Sequence, residues 1–165
     1  MATLMERKLE VIRGWPNDGS LDNYETYVSG QAHVNGDVVI PTTGGKVTNL
    51  SVTGRGDTTA LGTFGGVVFA GAGDSSSCAA SGKDVVIWGN AIIKIDSSLC
   101  NTGWTAAIGD KVTYRGKAAT GSTQPGLVLV FDKVAAGDQV VGYVKDVVAS
   151  SGVTSSTSAV TIVLN

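Results

Sequence analysis

Gly36-Asp37-Val38-Val39 is a turn that runs straight into a strand, and the same construction returns at Gly82-Lys83-Asp84-Val85-Val86, Gly109-Asp110-Lys111-Val112 and Gly137-Asp138-Gln139-Val140-Val141. Glycine supplies the positive φ or close backbone approach that a tight turn needs. Aspartate bonds its own neighbouring backbone, and the β-branched residues that follow fit a pleated sheet. Outward from these turns the pattern predicts strands over 37–40, 46–52, 65–70, 84–88, 91–95, 111–115, 127–131, 139–148 and 159–164. The run at 65–70 is continuously apolar, as a strand buried on both faces is, whereas 159–164 sets Val160, Ile162 and Leu164 on one face. Gly89-Asn90 joins two of these runs and predicts a tight hairpin. Ten or so strands at close spacing imply an all-β barrel or sandwich.

Helix has little support. The best window, 97–107, is broken by Gly103 and has no apolar stripe at helical spacing, so at most a turn or two is expected there. The serine-rich runs at 74–77 and 150–158 read as exposed hairpin tips.

A chain of 165 residues fits one domain and can bury a core without a disulfide or a metal. Charged residues make up only 16% of it, so the surface is predominantly neutral, and a net charge of −2 gives no attraction for nucleic acid. No apolar run approaches the about 20 residues of a membrane helix. The amino terminus lacks the basic-then-apolar pattern of a secretory signal, so synthesis in a cytoplasm is expected, with Cys78 and Cys100 as reduced thiols.

Residues 1–35 differ from the remainder. They hold five of the fourteen acids, the single histidine and two of the four tyrosines, with few periodic apolar positions, and so predict an extended N-terminal arm preceding a β domain over 36–165. An arm without a core of its own lies along something else. Its apolar and aromatic residues Leu4, Leu9, Ile12, Trp15, Tyr24 and Tyr27 are the expected partner contacts. Deletion of 1–30 is accordingly expected to leave a folded β domain that has lost its partner.

Little on the chain suggests catalysis. His33 has no ligand-forming neighbour at i+2 or i+4 and reads as structural or solvent-facing. Asn17, Asp18, Asp22 and Glu25 lack the spacing of a calcium loop and read as turn residues. Arg55-Gly56-Asp57 reads as a plain turn. The glycines at 62, 65, 66, 71 and 73 precede neither a Lys-Ser/Thr pair nor a helix, so close packing of strands is their expected use. No catalytic residue, metal or cofactor is expected. Trp88, beside Val86 and Ile87, is expected in the core.

From Gly36 onward the order of motifs resembles the small all-β capsid decoration, or cement, proteins of tailed bacteriophages, of the lambda head-stabilising type. The residues that carry this are the opening Gly-Asp-Val-Val, Gly62-Thr63-Phe64-Gly65-Gly66-Val67-Val68-Phe69-Ala70-Gly71-Ala72, Ala107-Ile108-Gly109-Asp110-Lys111-Val112-Thr113-Tyr114, Gln139-Val140-Val141-Gly142-Tyr143-Val144 and the final Val160-Thr161-Ile162-Val163-Leu164-Asn165. The resemblance implies a single compact β-barrel or β-tulip-like domain on the exterior of a virion head. It also implies a homo-oligomer, commonly a trimer, with the major capsid protein as partner. A carbohydrate- or receptor-binding module of a phage fibre or adhesin is the alternative, suggested by the neutral Ser/Thr/Asn surface and the long loops at 72–82 and 149–158.

Overall fold

The β-branched runs become strands, and the computed structural model describes residues 8–13, 24–29, 32–48, 50–51, 64–101, 103–118, 127–148 and 159–165. In chain order these hold β1 (Leu9–Arg13), β2 (Tyr24–Ser29), β3 (Val38–Thr42), β4 (Lys46–Thr48), β5 (Leu50–Ser51), β6 (Gly66–Ala70), α1 (Ser76–Ser81), β7 (Lys83–Ile87) and β8 (Ala91–Asp96). A 3-10 turn (Ser97–Leu99) follows, then β9 (Lys111–Ala118), β10 (Leu127–Lys133), β11 (Gly142–Val148) and β12 (Ala159–Leu164). The class is all-β, as the sequence implies. Two sheets divide the strands: a seven-stranded sheet in the order β1-β8-β12-β11-β9-β10-β5, and a closed five-stranded barrel, β2-β4-β3-β6-β7.

One hydrophobic core joins the two. Leu9, Ile93, Ile95, Val112, Leu129, Phe131, Ile162 and Leu164 from the seven-stranded sheet pack with Val38, Ile40, Val67 and Ile87 from the barrel. The alternate barrel residues Val39, Val47, Val68 and Val86 form a second, inner cluster. β3, β6 and β7 therefore contribute to both clusters, which is why 38–40 and 66–70 read as unbroken apolar runs.

The segment predicted as an arm is woven into both sheets. β1 pairs with β8 from Leu9↔Ile95 to Arg13↔Ile92, and Leu9 and Val11 are buried on the core side. β2 closes the barrel between β7 (Tyr24↔Ile87 to Val28↔Lys83) and β4 (Val28↔Lys46, Ser29↔Val47). A folded remainder after deletion of 1–30 is thus not expected. The apolar positions of the segment are few because two short strands carry them, and each strand borrows its neighbours from far along the chain.

The predicted hairpin at Gly89-Asn90 is also corrected. β7 pairs with β2 and β6 in the barrel, while β8 pairs with β1 and β12 in the other sheet, so these two residues form a corner where the chain changes sheets. Asn90 takes a left-handed φ of 49°, and a Cβ at Gly89 would press on the carbonyl oxygen of Asn165 at 2.5 Å. The local turn chemistry of a corner and of a hairpin is the same; only the strand partners distinguish them. Trp88 at this corner is 41% exposed, outside the core in which it was expected.

The run read as a hairpin tip at 74–77 opens α1 instead. Ser75 caps it, its hydroxyl accepting from Cys78 N–H at 3.3 Å, and Gly82 ends it at φ 64°. Serine before and glycine after are the helix punctuation that could have revealed it. The 97–107 window holds a 3-10 turn at Ser97–Leu99, within its expected limit. The tip at 150–158 and the Arg55-Gly56-Asp57 turn lie outside the described residues, within which no helix is long and apolar enough to cross a membrane.

Candidate interaction surface

Two polar networks fix the loops that join the sheets. In the first, His33 Nδ1 lies 2.7 Å from Asp84 Oδ2, with the two side chains 1% and 0% exposed. Asp84 Oδ1 accepts from Ala72 N–H at 3.1 Å, and Asn35 ties three elements, accepting from Leu9 N–H (2.8 Å), donating to Phe69 O (2.9 Å) and giving its own N–H to Asp74 Oδ2. Gly71 and Gly73 pack against the His33 carbonyl, and a Cβ at Gly71 would collide with it. Gly71 and Gly73 pack loop on loop here, whereas Gly66 packs on the β7 carbonyl of Ile87 as close strand packing requires, and His33 is structural, held by an acid 51 positions away.

The second network clamps the loops around β9 and β10. Arg115 bridges Asp132 (Nε to Oδ2, 2.7 Å) and Asp138 (2.9 Å), and Asn101 Nδ2 donates to the same Asp132 oxygen at 2.9 Å. Asp110 accepts from Lys133 Nζ (2.8 Å), Trp104 Nε1 (3.0 Å) and Ala107 N–H (3.1 Å). The bonds from Lys133 and Trp104 hold the Asp110 carboxyl below its usual value of 3.8. A depressed folded pKa means stability that is complete above the unfolded value and lost as pH falls through the folded one. Urea midpoints of wild type and Asp110→Asn should therefore differ at pH 7, and the gap should begin to narrow as pH falls below about 4; a gap that stays constant from pH 7 down to the acid limit of folding would exclude this linkage.

Asp110 thereby fixes the turn Ala107-Ile108-Gly109-Asp110, closed by Asp110 N–H on Ala107 O at 3.0 Å, and the turn is pinned to β11 by Gly109 N–H on Val144 O at 2.9 Å. Ile108 at its apex is 72% exposed. Beside it, the outer face of the seven-stranded sheet carries a rung read directly from the register: Arg13 opposite Ile92, Ile92 opposite Val163, Val163 opposite Tyr143, and Tyr143 opposite Lys111. Its centre is apolar and its two ends are cationic.

Of the predicted partner contacts, Leu9 is fully buried in the protein's own core and is withdrawn as a surface residue. Ile12 is 46% exposed on β1. Tyr24 and Tyr27 occupy register positions on β2 opposite Ile87 and Asp84, while Leu4 and Trp15 lie outside the described residues. Of the four that lie among the described residues, Leu9 and Ile12 belong to β1 in the open sheet and Tyr24 and Tyr27 to β2 in the barrel. Sequence reasoning passed over Ile108 and Tyr143, whose signal was an apolar residue inside a turn and an aromatic out of phase with the buried positions of its strand. Among the described residues no cluster of three or more His, Cys, Asp or Glu side chains could hold a metal. Cys78 and Cys100 are buried and unbridged.

No family model, no curated protein and no solved structure matches the chain.

Proposed function

We propose that the protein is a non-enzymatic structural component of a tailed-phage head, one that binds the outer surface of the capsid and clamps adjacent major capsid subunits. The observation that carries this reading is Ile108, a large apolar side chain 72% exposed at the apex of a turn held rigid by Asp110, Lys133 and Trp104. A preorganised apolar knob loses little entropy when it enters a pocket on a partner. Repetition over a lattice turns modest single-site affinity into avidity. The order of motifs that resembles the decoration proteins supports the same reading, and Ala107-Ile108-Gly109-Asp110 lies within it. Binding only to the assembled shell stabilises that shell by mass action.

The test is co-sedimentation with heads stripped of their outer protein, together with the temperature at which those heads rupture. Wild type should saturate at a copy number set by the shell's symmetry and raise the rupture temperature. Burial of one isoleucine is worth about 1.5–3 kcal/mol, so Ile108→Asp should weaken each site by roughly tenfold to a hundredfold with no change in melting temperature. Absence of wild-type binding to any such head would end this reading.

A carbohydrate-binding module is the second reading, favoured by one observation: Trp88 is 41% exposed at the corner where the chain changes sheets. An exposed indole is a platform for a sugar face. Glycan-array binding abolished by Trp88→Ala would move this reading to first place.

A further inference from the structure

The outer face of the seven-stranded sheet is complementary in charge to itself. Below the rung Arg13–Ile92–Val163–Tyr143 lies a second, Glu10–Lys94–Thr161–Asp146, again fixed strand by strand by the register. Within β8 and β12 the two rungs are two residues apart, so they share a face. On β1 and β11 they are three residues apart, and on each of these strands a bulge, between Val11 and Arg13 and between Val144 and Asp146, restores the common face. The bulges are what place Arg13 above Glu10 and Tyr143 above Asp146 on the solvent side, where Glu10, Arg13 and Asp146 are exposed and Tyr143 is 46% exposed.

We infer that this face is an isologous contact with a second copy of the chain, about a two-fold axis lying across the strands between the two rungs. Rotation about that axis brings each upper-rung residue over the lower-rung residue of the same strand in the other copy. Arg13 meets Glu10 of the second copy and Tyr143 meets its Asp146, each pair occurring twice by symmetry. Val163 then lies over Thr161, itself only 7% exposed between its neighbours, and Ile92 over the aliphatic stem of the half-buried Lys94. Among the described residues neither Glu10 nor Arg13 makes an ion pair within its own chain. The axis along the strands is disfavoured, because it sets Asp146 against Glu10.

Size decides the strength. Four strands at about 4.8 Å spacing and two rungs about 7 Å apart give a patch on the order of 300 Å² per copy, well below the about 800 Å² of a stable complex. The contact is therefore a weak, reversible one that fills at high protein concentration or between copies held close on a common surface. It does not depend on the capsid reading and is tested without a capsid.

The experiment is sedimentation equilibrium of the full chain from micromolar to millimolar concentration at low salt. Wild type should show a monomer–dimer equilibrium that weakens as salt rises. Arg13→Glu and Glu10→Arg should each weaken it about tenfold, since each reverses two pairs at once, and the double variant should return to within about twofold of wild type. Tyr143→Phe, which keeps the ring and removes the hydroxyl, should weaken it by about threefold or more. All four variants sit at exposed positions, and unchanged melting curves would certify their fold. A wild type that stays monomeric throughout overturns the inference. So does association that neither charge reversal moves, or that the double variant fails to restore.

Discussion

Removal of residues 1–30 is expected to leave a chain that does not fold. The deletion takes away β1 and β2, and with them Leu9 and Val11, which are 0% and 3% exposed in the core between the sheets. Burial of those two side chains contributes about 3–6 kcal/mol together, a large part of the about 5–15 kcal/mol by which a domain of this kind is stable. Loss of β2 also opens the barrel, leaving unpaired the edge of β7 that now pairs with it from Lys83 to Ile87. The Asn35 side chain loses the Leu9 amide that it accepts at 2.8 Å. Near-ultraviolet circular dichroism and amide exchange are the measurements. A truncated chain with a native-like spectrum and protected β8 and β12 amides would show that the first strand is dispensable. Leu9→Ala is the graded form of the same experiment, with an expected cost of about 2–5 kcal/mol.

Asp84→Ala is expected to have the largest effect of any single substitution considered. Asp84 is completely buried, and its two oxygens serve His33 Nδ1 and the Ala72 amide. The change removes at once the partner of a buried imidazole and that of a part-buried amide. Each buried group deprived of its partner costs about 1–3 kcal/mol, so about 2–6 kcal/mol is expected overall. In a domain of this size, each kcal/mol lowers the melting temperature by about 2–4 °C. Asp84→Asn, which keeps an acceptor for the Ala72 amide, should lose less. Equal melting temperatures for wild type and Asp84→Ala would mean that the pair contributes no net stability, as some buried polar pairs do not.

The two predictions share a cause, because both concern residues whose importance comes from distant parts of the chain. Much of the scaffold was legible locally. β6, β8, β10 and β12 stand within two residues of their expected ends, since the β-branched run and the glycine or aspartate that bounds it are adjacent in sequence. The double-sided burial of β6 was legible too, because a strand covered on both faces carries an uninterrupted apolar run.

Pairing was not legible. Gly89-Asn90 has the composition of a hairpin and serves as a corner between sheets, and nothing within those two residues records that β7 will find β2 and β6 while β8 finds β1 and β12. Leu9, Val11 and Ile12 allow either a short strand or a helical turn before Gly14, and the strand forms because Ile93 and Ile95 wait opposite Val11 and Leu9. His33 finds a buried acid 51 positions on, which no spacing pattern in the sequence announces. The surface was the least legible part. Exposure of Ile108 depends on a clamp whose members, Trp104, Asp110 and Lys133, are brought together by the β9–β10 hairpin and the loop before it. The Arg13-to-Lys111 rung exists only once five strands are in register.

The sequence by itself determined that this protein is all-β, where most of its strands run and which of them are covered on both faces, because turn chemistry and side-chain alternation act over a few residues. Only the tertiary structure decided that the strands divide into a barrel and an open sheet, that β1 joins the sheet and β2 the barrel, and which side chains are left facing outward. Those outcomes depend on hydrogen bonds and apolar contacts between segments tens of residues apart, and many arrangements of equally good strands satisfy the same local pattern.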